Sequence, residues 1–286
     1  KAFKRIMIIT GVICLLIAPE NLSTAALLFG VVYLMMFIGR VAMKKLLILA
    51  GGLAGVAIIG VTFLVLTKNS DLPFLHRFDT WRARIEKFTN DNEVPAAKFD
   101  IDKDAQIAHA RIAVATSHVV GKGPGNSVQR DFLSQAFSDF IFAIIIEELG
   151  LIGGAFVVFL YVCLLIRVGR IAKKCERTFP AFLIIGIALL LVSQAIFNMM
   201  VAVGLAPVTG QPLPLISKGG TSTLINCAYI GMILSVSRYT ARLEEQKEHD
   251  ALIPMQVEVP AEETNSDAQT AAEPTAKVLN SDAEFE

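Results

Sequence analysis

Hydrophobic residues in this chain fall in long unbroken runs rather than in alternating stripes. Runs apolar enough to cross a bilayer lie at about residues 6–18, 22–39, 46–67, 140–166, 180–206 and 222–237. They predict an all-α fold, a polytopic transmembrane helix bundle with six spans. The first run is short for a full crossing and gains a turn if Lys4 and Arg5 snorkel to the interface. Between the runs, basic clusters fall at Lys1-Lys4-Arg5, Arg40-Lys44-Lys45, Arg167-Arg170-Lys173-Lys174-Arg177 and Arg238-Arg242. These occupy every second inter-span position, so the positive-inside rule places them all in the cytoplasm.

That orientation leaves three segments outside: Pro19-Glu20-Asn21, the long stretch 68–138, and Pro207-Val208-Thr209-Gly210. A large extracytoplasmic loop of that length is uncommon unless it has a function. Within it, Trp81, Ile85 and Phe88 share helical spacing with a charged opposite face, which suits a helix lying on the membrane surface. A second helix is predicted from about Asp104 to Val120, ended by Gly121, Gly123 and Gly125. The loop is also basic, with Arg77, Arg82, Arg84, Lys87, Arg111, Lys122 and Arg130. Solvated surface charge accounts for some of these. The sharper alternative is a clamp for phosphate oxygens, which the guanidinium fork fits.

Composition agrees with a membrane protein. Of 286 residues, 54% are hydrophobic, and the mean hydropathy of +0.58 is too high for an ordinary soluble domain. The net charge of zero conceals an asymmetry. From Glu244 onward, twelve acids face Lys247 and Lys277, so this end carries −10 and the remainder +10. A basic membrane portion (1–240) suits membrane lipids and phosphates rather than nucleic acid. The segment 241–286 reads as a disordered, acidic cytoplasmic tail. Cys14, Cys163, Cys175 and Cys227 show no metal or disulfide spacing. The chain starts at Lys1 without a signal peptide, as the later part of a longer protein would.

Candidate chemistry concentrates between Gly121 and Gly154 and again between Gly204 and Ser222. Asp139 sits where a polar, glycine-rich stretch turns into a span, with Phe140, Ile141 and Phe142 behind it. A carboxylate at that boundary is costly unless it has a task or a partner, and general-base catalysis is one such task. N-capping is the plainer alternative, since Ser138 and Asp139 both start helices well. Glu147 and Glu148 cannot share one helix face, so at least one must turn inward and find a partner. Gln194 and Asn198 lie one turn apart on one face, where bonds to a neighbouring helix would explain them. The run GLAPVTGQPLPLISKGGTS (204–222) has too much Pro and Gly for a helix. It predicts a re-entrant turn rimmed by Thr209, Ser217, Lys218, Thr221 and Ser222, facing Asp139. Residues alone suit a lipid-linked glycosyltransferase and a transporter equally.

Three blocks, GKGPGNSVQ, SDFIFAIIIEELGLIGG and NMMVAVGLAPVTGQPLPLISKGGTS, resemble in order and spacing the signatures of the SEDS family (shape, elongation, division and sporulation). Pro19-Glu20-Asn21-Leu22-Ser23-Thr24 resembles that family's P-D-x-G-T turn, and Arg84-Ile85 with Phe88 and Gln106 resembles its outer-loop pattern. The resemblance covers about residues 1–240, and the run at 126–129 is nearer the division branch than the elongation branch. It implies ten transmembrane helices, six of them here. It implies a peptidoglycan glycosyltransferase that polymerises lipid II at the outer face of the bacterial inner membrane during cell division. A class B penicillin-binding transpeptidase and other division proteins would be its partners. By the same resemblance Asp139 is the catalytic residue. Asp131, Arg84, Arg130, Gln129, Thr209, Ser217 and Lys218 would bind substrate, and a divalent cation (Mg or Mn) could sit on Asp131 or Asp139. The chain departs from the family's L-P-E-x-H-T-D, reading Leu133-Ser134-Gln135-Ala136-Phe137-Ser138-Asp139, and carries Lys218 where an aromatic is common. Two rivals remain: a lipid II flippase using the same cavity, and a non-catalytic division scaffold.

Overall fold

A computed structural model describes residues 2–66, 101–133 and 136–257. The surface helix expected around Trp81–Phe88, and with it Arg77, Arg82, Arg84 and Lys87, lies outside the described residues. The chain divides into two compact units, Lys1–Thr240 and Ala241–Glu286.

Every predicted apolar run is a helix: α1 (Ala2–Ile17), α2 (Leu22–Ile38), α3 (Met43–Leu66), α5 (Ile141–Lys174), α6 (Thr178–Ala202) and α7 (Gly220–Val257). The helix α4 (Ile101–Ala115) precedes a short 3-10 turn at Gln129–Phe132, and no strand occurs among the described residues. α3, α5, α6 and α7 are each long and apolar enough to span a bilayer, and α2 is a shorter apolar helix. The molecule is an all-α membrane helix bundle. Many large side chains, among them Leu15, Ile48, Phe159 and Phe179, are exposed, as lipid-facing positions should be.

α5 and α6 form the centre. On α6, Ile184, Ala188, Leu191, Ala195, Asn198 and Ala202 are buried at alternating three- and four-residue steps. That period keeps one seam facing the partner, and the small Ala residues let the helices approach closely. Around one end of the pair, Ala110 and Ala113 of α4, Phe140–Ile146 of the α5 entrance and Leu213 close a first core. At the other end, Val168, Ala172, Ile184, Leu191 and Ile233 of α7 close a second.

Three expectations change. α4 ends at Ala115 rather than near Val120, because His118 takes a left-handed conformation and the chain leaves the helix to pack against α5. α5 is broken at Gly150 (φ 72°) inside what reads as a continuous apolar span. The segment expected to be disordered from residue 241 begins as helix, since α7 continues to Val257. Its Ala, Leu, Glu, Gln, Lys and Arg are strong helix formers, which carries the span's helix onward despite the acidic composition.

Candidate active site

The polar segment before α5 and the re-entrant segment after α6 meet at Asp139. α5 begins with Phe140 as its N-cap, without a side-chain cap bond. Asp139 therefore does not cap the helix, which removes the plainer explanation for its position. Its half-buried carboxylate accepts a hydrogen bond from the Ser138 hydroxyl at 2.9 Å. Among the described residues it makes no ion pair. Most of its lone pairs are thus available to a ligand.

Around it, the backbone is held from three sides. The Ser217 hydroxyl donates to the carbonyl of Ser138 (2.6 Å), and the Lys218 amide donates to that of Phe137 (2.8 Å). The Asn198 side chain donates to the carbonyl of Asp139 (2.8 Å) and to that of Gln211 (2.7 Å). Gly210 faces the carboxylate in a left-handed conformation.

The re-entrant segment owes its shape to its prolines. With Pro207, Pro212 and Pro214 it is poor in amide donors, so its carbonyls must be satisfied by side chains. Asn198 serves Gln211, Gln194 serves Pro212 at 3.3 Å, and the Tyr161 hydroxyl serves Pro214. Gln194 and Asn198 were expected to bond a neighbouring helix. Their partners are instead backbone carbonyls of this turn and of Asp139. Gln211 in turn donates to Thr24 at the start of α2 (2.6 Å), which ties the turn to the Pro19–Thr24 corner.

A second constellation centres on Glu147, which is fully buried. Its carboxylate pairs with Lys122 (2.6 Å), accepts from the Ser127 hydroxyl (2.5 Å) and receives the amides of Val128 and Gln129 (3.3 Å each). One buried acid thus folds the GKGPGNSVQ stretch around itself. The loop also repairs the break in α5. Lys122 and Gly123 donate to the carbonyls of Glu147 and Glu148, while Leu151 and Ile152 donate to those of His118 and Val119.

Of the residues singled out in the sequence, Asp139, Ser217, the Lys218 backbone and the Thr209–Gln211 turn come together. The Lys218 side chain is exposed, and the Thr209 hydroxyl is buried without a partner. Gln129, Arg130 and Asp131 belong to the Glu147 loop, and none of their bonds reaches Asp139. Gln129 bonds His109 (2.6 Å), whose ring stacks on Phe132, and Arg130 contacts the exposed Asp131 at 3.4 Å. Asn198 and Ser138 are the residues whose place at the site was missed. Their spacing gives a face but not a partner. Among the described residues, no group of three or more His, Cys, Asp or Glu converges on a metal-sized site.

Comparisons with known proteins agree on the lineage. A probable peptidoglycan glycosyltransferase FtsW of Bacillus subtilis is 29% identical over 254 residues, covering 87% of this chain and 60% of that protein. The one from Geobacter sp. (strain M18) is 33% identical, covering 81% and 58%. The Halomonas elongata protein of the same name reaches 44% over 147 residues, or 49% of this chain and 37% of its own. The chain thus spans at most about 60% of the length of these relatives. Among solved structures, a chain of a peptidoglycan synthase complex that coordinates polymerization and crosslinking superimposes with a TM-score of 0.59 at 25% identity, covering 82% of this chain and 60% of that one. The FtsW/RodA/SpoVE family model, described as cell cycle protein, matches residues 1–242, and the chain belongs to that family.

Proposed function

We propose that this chain carries the catalytic centre of a peptidoglycan glycosyltransferase that polymerises lipid II at the outer face of the bacterial inner membrane. The observation that carries the reading is the Asp139 carboxylate. It is half-buried, does not cap its own helix, and has a single side-chain partner beside a turn held by side chains of α5 and α6. The names of the relatives, glycosyltransferases all, supply the reaction class.

In the proposed reaction, the acceptor sugar's hydroxyl attacks the donor's anomeric carbon. The bond to the lipid diphosphate breaks, and Asp139 takes the hydroxyl proton. A well-placed general base contributes about 10²–10⁴-fold. Arg130, Arg84 and Lys218 would stabilise the negative charge on the departing diphosphate. Gln129, Asp131, Thr209 and Ser217 would line the path of the sugars. A divalent cation, Mg or Mn, would use Asp139 or Asp131 together with diphosphate oxygens, since Mg takes one or two carboxylates plus phosphates rather than a full protein cage. A class B penicillin-binding transpeptidase would crosslink the product, as polymerization and crosslinking are coupled in the complex that the fold resembles.

The test is polymerisation of lipid II by the full-length protein with its transpeptidase, comparing wild type with Asp139→Asn and Asp139→Ala. Loss of glycan strands with normal insertion and melting is expected. Strand formation by a folded Asp139→Ala protein would overturn the assignment. Lipid II that crosses the bilayer without being extended would point to a flippase.

A further inference from the structure

Asn198 is 1% exposed and lies on the buried seam of α6, where the helix's other buried residues are all apolar. An amide there is expensive unless its groups are used. Both of its side-chain contacts end on backbone carbonyl oxygens, Asp139 at 2.8 Å and Gln211 at 2.7 Å, so the nitrogen must face them. Its own oxygen is left buried without a partner. An unsatisfied buried acceptor costs about 1–3 kcal/mol, so stability alone does not account for an amide at this position. What remains is the pair of donors, and these join two segments that are otherwise distant in sequence. One carries the proposed base, and the other carries the turn facing its carboxylate through Gly210.

We infer that Asn198 is a positioning residue for the reaction. By holding the Asp139 peptide and the Gln211 peptide on one amide, it sets where the Asp139 carboxylate stands relative to the re-entrant turn. This inference rests on the reading of Asp139 as the base. Gln194 provides the internal control, because it lies one turn away on α6 and supports the same turn at Pro212 but makes no bond to the Asp139 segment.

The experiment is steady-state lipid II polymerisation by the full-length protein with its transpeptidase, for Asn198→Ala, Gln194→Ala and Asp139→Ala, with melting of each recorded. Asn198→Ala is expected to lower kcat about ten- to a hundredfold with KM within twofold, since small misplacements of a reacting group cost that much. Gln194→Ala is expected to keep kcat while melting lower. If Asn198→Ala does not fold, Asn198→Gln retains the amide but shifts it by one methylene, and the same fall in kcat is expected. Equal behaviour of the Asn198 and Gln194 variants, or unchanged kcat in a folded Asn198 variant beside an inactive Asp139→Ala, would overturn the positioning role alone. Activity of Asp139→Ala would overturn the underlying reading instead.

Discussion

The Asp139 carboxylate and the backbone of Gly210 are in direct apposition: a Cβ placed on Gly210 would stand 3.5 Å from Oδ2. A methyl would just fit, so contact alone does not demand glycine. The backbone does, because φ is +67° there. Gly210→Ala should therefore destabilise by about 1–2 kcal/mol from left-handed strain. A larger side chain would also stand over the carboxylate. Gly210→Val is expected to abolish strand synthesis while the protein still inserts, whereas Gly210→Ala keeps measurable activity. Equal activity of the two variants in a lipid II assay would show that nothing needs to approach Asp139 from this side.

The pairing of Glu147 with Lys122 gives an ordering of stabilities. Glu147 is fully buried, while the Lys122 side chain retains 30% exposure. Lys122→Met strands a buried carboxylate and should cost about 3–5 kcal/mol. Glu147→Gln should cost less, since its amide oxygen still accepts from Ser127 and the lysine can turn to water. Replacing both by apolar residues should recover only part of the loss, because the Ser127 hydroxyl and the amides of Val128 and Gln129 would lose their acceptor. Thermal melting in detergent reads all three. Full recovery in the double variant would mean that the network does not organise the loop.

Gly150 and Gly121 make a second glycine-dependent contact, in the broken region of α5. Each has positive φ, and a Cβ on either would run into the other segment's backbone: Val119 for Gly150, Glu148 for Gly121. Backbone cannot yield as a side chain can. Gly150→Ala should destabilise by more than the ~1–3 kcal/mol of strain alone. Gly169, in the same helix, has open space around its Cα, so Gly169→Ala should be neutral or stabilise by about 0.5–1 kcal/mol. A mild effect at Gly150 would indicate that α5 can run straight.

The helices were legible because an apolar run of about twenty residues is a property of the chain in one dimension. The place of Asp139 at a span's edge was legible for a similar reason, since polar loop and span adjoin within three residues, whereas its role was implied only by the family resemblance. The break at Gly150 was not legible, since Gly150, Gly153 and Gly154 all stand in the same span and only the arrival of residues 118–123 singles out Gly150. The partners of Glu147 lie 18–25 residues upstream and those of Asn198 lie 59 upstream and 13 downstream. Helical spacing assigns such side chains to a face and says nothing of what reaches that face. The continuation of α7 was hidden by a composition in which acids suggested disorder while strong helix formers favoured order.

Arg130 and Asp131 separate binding from stability. Their contact is 3.4 Å long and Asp131 is 77% exposed, so the pair contributes about 0–1 kcal/mol to folding. Arg130→Ala should leave melting unchanged. If Arg130 meets the diphosphate, its loss removes a charge-assisted bond and should raise KM for lipid II about tenfold. Asp131→Asn should also melt normally, and the two variants then diverge. If Asp131 helps to hold a divalent cation, Asp131→Asn will need more Mg to reach half-maximal rate, whereas Arg130→Ala will not. A metal titration of both variants decides the point, since identical Mg curves for Asp131→Asn and wild type would remove Asp131 from any cation site.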